Sequence, residues 1–144
     1  MRLLLAVSVM IVGLTAVRAD DKTIQEEKKR LEGVWQFVSA EADGKPAPHD
    51  EQRPKAEFKG DKFVGLGSEM TYTLDPAKTP KHIDLIAKVG GMDIKIPAIY
   101  ELTDDQLTLC IPLTEKGKPL DLKRPNGFDT KAIPVMLIRF KRVK

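Results

Sequence analysis

The 144-residue chain contains a single cysteine, Cys110, two histidines, one tryptophan and two tyrosines. A lone cysteine excludes an internal disulfide, so even in an oxidising compartment stability has to come from packing and hydrogen bonds. Long apolar runs are missing too. The run at residues 3–14, broken by Ser8 and Gly13, is shorter than the roughly 20 residues a helix needs to span a bilayer. There is no Gly-rich phosphate loop, no Ser–His–Asp signature, no internal repeat and no βαβ rhythm. Basic residues are scattered rather than set in a nucleic-acid-binding motif. The sequence therefore predicts no catalytic constellation, no cofactor, no metal and no nucleic-acid partner.

What is present begins with an export signal. Arg2 precedes the apolar run, and Val17-Arg18-Ala19 then sets modest or small side chains before the acidic pair Asp20-Asp21. This is the pattern of a cleavable signal peptide over residues 1–19, and no cysteine follows that would carry a lipid anchor. The remainder, residues 20–144, has the size of one domain and no integral membrane segment, and is expected in the periplasm or outside the cell. Charge is unevenly spread. Residues 116–144 carry nine Lys or Arg against two Asp, whereas residues 20–115 carry thirteen against nineteen acids. Such asymmetry either steers an anionic partner or complements the protein's own acidic half.

Thr23 to Leu31 reads as a short exposed helix, with Thr23 as N-cap, Glu26 completing a capping box, and Ile24 and Leu31 on one narrow face. From Gly33 onward the periodicity is two. Trp35, Phe37 and Ser39 share one face of a first strand that ends at Asp43-Gly44. Ala56 and Phe58 lead through Gly60-Asp61 to Phe63, a hairpin pattern. Met70, Tyr72 and Leu74 alternate next, then Ile83, Leu85 and Ala87, then, after Gly90-Gly91, Met92, Ile94, Ile96, Ala98 and Tyr100. Within that last run Pro97 demands an edge or a bulge, because it has no backbone donor. Leu107, Leu109, Ile111 and Leu113 alternate cleanly, and Met136, Ile138 and Phe140 share a face of a final strand over residues 135–142. Eight short strands joined mostly by tight turns predict an all-β fold, an antiparallel up-and-down barrel preceded by one short helix.

The stretches LEGVWQFVSAEADGKPAP (31–48), YTLDPAKTPKHIDL (72–85), IYELTDDQLTLC (99–110) and RPNGF (124–128) resemble a family of small domains from planctomycete bacteria whose common activity is undefined. Their Gly33-Val34-Trp35 is similar to the Gly-x-Trp signature that opens the first strand of lipocalin-like proteins. The resemblance implies a lipocalin-like barrel and export, and transfers no catalytic residue. In such barrels Gly33 would let the helix approach the strand, and Trp35 would plug one end under a basic residue of the last strand. Arg139 and Arg142 lie on opposite faces of that strand, and either fits.

The local clusters carry competing readings. Pro48-His49-Asp50-Glu51 gathers metal-capable side chains, but adjacent residues seldom converge on one ion. His82 and Asp84 can pair on one strand face, and either histidine could in principle hold a haem. Cys110 faces outward or into a second packed layer. Arg124, in the Arg-Pro-Asn-Gly-Phe loop anchored by Phe128, either offers a fork to an anion or pairs with an acid of the barrel. Three functions compete. The first is a non-enzymatic binding protein taking a small apolar or amphipathic ligand at the barrel mouth, lined by Phe37, Tyr72, Ile94, Ile96 and Tyr100, with Arg124 nearby. The second is an envelope module that binds a protein or polyanion through the basic C-terminal surface. An enzyme ranks third.

Overall fold

The computed structural model describes residues 21–47, 55–65, 67–113, 122–131 and 133–144. The leader-like segment and the His49 loop lie outside these residues. Helix α1 (Asp21–Leu31) leads into β1 (Gly33–Ala42), β2 (Lys45–Pro46), β3 (Lys55–Lys59), β4 (Lys62–Gly65) and β5 (Ser68–Asp75). Then come β6 (Lys81–Val89), β7 (Met92–Leu102), β8 (Gln106–Pro112) and β9 (Val135–Arg142). All pairings are antiparallel, and β9 returns to pair with β1, which closes eight strands into a barrel. The two-residue β2 is an addition that pairs with the far end of β1. Closure gives the first and last strands partners and so removes the exposed edges an open meander would carry.

The period-two pattern places the core inside. Phe58, Phe63, Met70, Tyr72, Leu74, Ile83, Leu85, Ala98, Tyr100, Leu107, Leu109, Ile138 and Phe140 are buried in one cluster with Trp35 and Leu31. The filling is tight around Gly65, where an added Cβ would lie 2.8 Å from Phe63 Cζ and 2.9 Å from Ala56 Cβ. A second, smaller core lies on the outer surface. There Ile99, Cys110, Val135 and Leu137 are covered by Phe128 and Ile133 from the connection between β8 and β9. The outward residues of β7, β8 and β9 are therefore apolar where that connection crosses them, and Cys110 belongs to this layer.

Three expectations are corrected. The helix starts at Asp21, so Thr23 lies within its first turn rather than capping it. Its inward face comprises the half-buried Ile24 and the buried Glu27 and Leu31, at i, i+3 and i+7, so a charged residue shares the face assigned to apolar ones. In β1 the register against β9 shifts between Phe37 and Ser39. That bulge leaves Val38 exposed and turns Ala40, not Ser39, into the core. A bulge reverses the alternation at one point, which a strict period-two pattern cannot anticipate. Pro97 behaves as its chemistry requires. The β7–β8 ladder runs from Ile99↔Cys110 to Leu102↔Leu107, and Pro97 lies just beyond its end.

Candidate functional site

The two ends of the barrel differ. At one end α1 lies across the opening and is bonded to the strands. Trp35 is fully buried and donates its indole N–H to the Leu31 carbonyl at 2.8 Å. The guanidinium of Arg142 stacks 4.2 Å from the Trp35 ring centroid. The same group donates to the carbonyls of Glu32 at 3.2 Å, Asp104 at 2.9 Å and Arg30. A cation at the helix C-terminus complements both the unpaired carbonyls and the negative end of the helix dipole. Arg142 is thus the stacking residue. Arg139 points outward, where Glu41 lies 3.9 Å away. Gly33 is needed for a different reason from the close approach predicted. Its φ is +122°, a conformation side-chain-bearing residues avoid, while an added Cβ would meet its nearest neighbour, Arg142, at an ordinary 3.6 Å.

Beside this plug lies a polar knot that the sequence reading missed. The buried Glu27 carboxylate accepts from Lys81 Nζ at 2.8 Å, from the Tyr100 hydroxyl at 3.0 Å and from Arg30 at 3.2 Å. Burial alone raises its pKa, but the Lys81 and Tyr100 hydrogen bonds and the nearby cations outweigh this and hold it below the ordinary value. Tyr100 is held protonated, first by burial and then by the negative Glu27 it donates to. Tyr72 donates to the Gly60 carbonyl at 2.9 Å, with Lys28 Nζ 5.6 Å from its ring centroid. Burial, with Asp61 and Glu32, pushes its hydroxyl up to about 12. Tyr72 and Tyr100 are therefore buried at the α1 end, bonded to Gly60 and Glu27, and not at the end where Ile94 and Ile96 lie, which corrects their assignment to a shared mouth. The sequence signal for Glu27 was its spacing, three after Ile24 and four before Leu31, on the one face that α1 turns inward.

The opposite end is ringed by side chains that are apolar but only partly buried. Phe37, Ala47, Ala87, Ile96 and Met136 pack on the core from there, and Phe37 meets Phe140 edge-on with centroids 6.2 Å apart. Ile94 pairs with Ala87 one step above Leu85↔Ile96 and is half-buried. The inner face of the β6–β7 hairpin continues past this rim to Val89 and Met92, which are 58% and 70% exposed. Tight turning at Gly90-Gly91, with φ of 59° and 80°, keeps the two strands in register to the tip. Of the predicted lining, Phe37, Ile94 and Ile96 are the ones left only partly buried. Ala47, Ala87 and Met136 join them; alternation marked Ala87 and Met136 as inward, but their height in the barrel depends on register.

Arg124 is elsewhere, on the outside wall. It donates to Asp84 Oδ1 at 2.5 Å and to the Ala98 carbonyl at 2.8 Å. It thus ties the β8–β9 connection to β6 and β7 beside the end of the β7–β8 ladder, which corrects its placement at the ligand site. Asp84 also pairs with Lys95, at 3.4 Å, and not with His82. His82 is held below its usual pKa, first by burial and then by Arg124, against the opposing pull of Asp75 and Asp84. The Cys110 thiol lies 3.6 Å from the Gly127 carbonyl, and burial pushes its pKa up to about 11, away from nucleophilic character. Among the described residues no group of three or more His, Cys, Asp or Glu side chains is arranged to hold a metal ion. No helix there is long and apolar enough to cross a membrane.

The closed antiparallel barrel with a helix across one end has the look of lipocalin-like proteins. No protein-family model matches the chain, and comparisons with curated proteins and with solved structures likewise return no match.

Proposed function

We propose that this protein is an exported, non-enzymatic binding protein that takes a small apolar or amphipathic molecule at the end of the barrel opposite α1. The observation that carries the reading is the ring of partly buried apolar side chains at that end, Phe37, Ala87, Ile94, Ile96 and Met136. Apolar surface left part-wet is unfavourable by about 25 cal/mol for each Å². A ligand's apolar body covering it recovers that free energy. The packed interior below, with Phe63, Leu85 and Leu109 fully buried, favours a ligand that sits in the mouth over one swallowed whole. The leader-like residues 1–19 and the resemblance to exported planctomycete domains support export.

The experiment is native mass spectrometry of the protein purified gently from its own host. A reproducible mass excess that vanishes on denaturation, and that Ile96→Arg abolishes while the fold survives by circular dichroism, is the expected result. A bare chain mass, together with no saturable binding of a fluorescent amphiphile such as anilinonaphthalene sulfonate, refutes the reading. The second reading, an envelope module that binds a polyanion, draws on the exposed Lys123, Lys131, Arg139 and Lys141. It loses Arg124, which Asp84 engages, and is favoured only by an association that salt and reversal of those charges abolish.

A further inference from the structure

The connection between β8 and β9 crosses the outside of the barrel as a strap, and two side chains anchor its described part. Towards one end Arg124 donates to Asp84 Oδ1 at 2.5 Å and to the Ala98 carbonyl at 2.8 Å. Towards the other the buried Thr130 donates to Glu41 at 2.8 Å and accepts from the Gly44 amide at 2.9 Å. Between these anchors Phe128 packs on the outer layer of Ile99, Cys110, Val135 and Leu137, and the Cys110 thiol reaches the Gly127 carbonyl at 3.6 Å. The Arg124 anchor has beside it a side chain of the type that titrates near neutral pH, His82. His82 precedes Asp84 by two residues on β6, so the two share the outward face about 7 Å apart. Its cross-strand partner is Ile99, next to the Ala98 whose carbonyl holds Arg124.

We propose that this anchor is an acid-sensitive latch: protonation of His82 sets a second cation beside the Arg124 guanidinium, competes with it for Asp84, and lets the strap lift from the outer layer while Thr130 still holds. The charges around the imidazole favour that outcome. Asp75 stands directly opposite His82 in the β5–β6 ladder, with its Oδ1 buried, and Lys78 lies in the turn that follows. Lys95 of β7 is 3.4 Å from Asp84, and Glu101 takes the outward position after Ile99. Lys123 and Asp129 are the strap's other charged groups between its anchors, and Lys81 turns away to Glu27. With the strap down, burial and then Arg124 hold His82 below its ordinary pKa of 6.5, against Asp75 and Asp84. Lifting the strap takes away the guanidinium and part of the burial but leaves both carboxylates. An imidazolium also carries two donors to the neutral ring's one, and those carboxylates accept them. Proton affinity is therefore higher with the strap up, so opening takes up a proton. The closed form is fully favoured above the open form's pKa, loses ground as pH falls below it, and levels off under the closed form's lower value. One proton changes the opening ratio by at most about tenfold for each pH unit. The latch lies on the outer wall and does not depend on a ligand at the mouth.

The test is the rate at which Cys110, under the strap, reacts with dithiodipyridine, a reagent that thiols attack in mild acid as well as at neutral pH. Each rate is divided by that of the same chain unfolded in urea at the same pH, which cancels the thiol's own titration. The expected result for the wild type is a rise in this ratio of about tenfold between about pH 7.5 and about pH 5.5. In His82→Gln the ratio should stay nearly flat, and in His82→Lys it should already be raised at the higher pH. Trp35 fluorescence should hold constant over the range, which separates lifting of the strap from unfolding of the barrel, and circular dichroism melting shows that each variant is folded. A flat ratio in the wild type overturns the proposal. So does an equal rise in His82→Gln, a His82→Lys ratio no higher than the wild type's at the higher pH, or a rise that Trp35 fluorescence follows in step.

Discussion

Replacing Arg142 with alanine removes two things at once. The stacking on Trp35, at 4.2 Å, is worth about 0.5–2 kcal/mol. The guanidinium also serves the carbonyls of Arg30, Glu32 and Asp104. Hydrogen bonds from a charged donor contribute about 1.5–3 kcal/mol each when buried, but this side chain is only half-buried, so the set is discounted to about 1–2 kcal/mol. The expected loss is about 1.5–4 kcal/mol, or a fall in Tm of roughly 10 °C for a domain of this size. Arg142→Lys keeps a charge over the indole without the planar fork and should lose about half as much. Arg139→Ala is the control. Its partner Glu41 is 3.9 Å away and both are solvent-facing, so a change under about 0.5 kcal/mol is expected. Urea unfolding followed through the single tryptophan, which sits under the guanidinium, reads all three variants. If Arg142→Ala and Arg139→Ala fall within about 0.5 kcal/mol of each other, the plug is not held as described.

Glu27 makes stability depend on pH in a defined direction. Its folded pKa lies below the reference of 4.5, so its contribution is fully present above about that pH and is lost as pH falls through the folded value. Glu27→Gln should cost about 1–3 kcal/mol at pH 7, because Lys81 then has no carboxylate partner there, discounted because Lys81 is a third exposed. Urea midpoints at pH 7 and pH 3 should also converge in this variant; an unchanged acid slope would show that another group governs it. Cys110, buried and pushed up to about 11, should react with an aromatic disulfide reagent at pH 8 only through local opening. Phe128→Ala, which uncovers the outer layer, should speed that reaction by about tenfold or more, and an equal rate in both proteins would show that Phe128 is not the cover.

Alternation determined the eight main strands and, the bulge in β1 apart, which of their side chains face the core. Phe58, Leu85, Leu109 and Ile138 are inward because an antiparallel strand wetted on one side has to turn every second residue from water. Turn chemistry did the same for Gly60-Asp61 and Gly90-Gly91, since few residues other than glycine accept φ above zero at no cost. Three kinds of information were held only by the tertiary structure. One was height along the barrel axis. Tyr72 and Tyr100 have the same inward parity as Phe37 and Ile96, but the shear of the closed sheet sends the tyrosines to the base and the others to the rim. Another was which charges meet. Glu27 with Lys81, Arg124 with Asp84 and Arg142 with the carbonyls of Arg30, Glu32 and Asp104 are pairs separated by tens of residues, so no local spacing announces them. The last was the bulge at Val38, which reverses the facing of β1 for a single residue's insertion. Facing is written in local periodicity, whereas depth, partners and register come from closure, a property of all eight strands together.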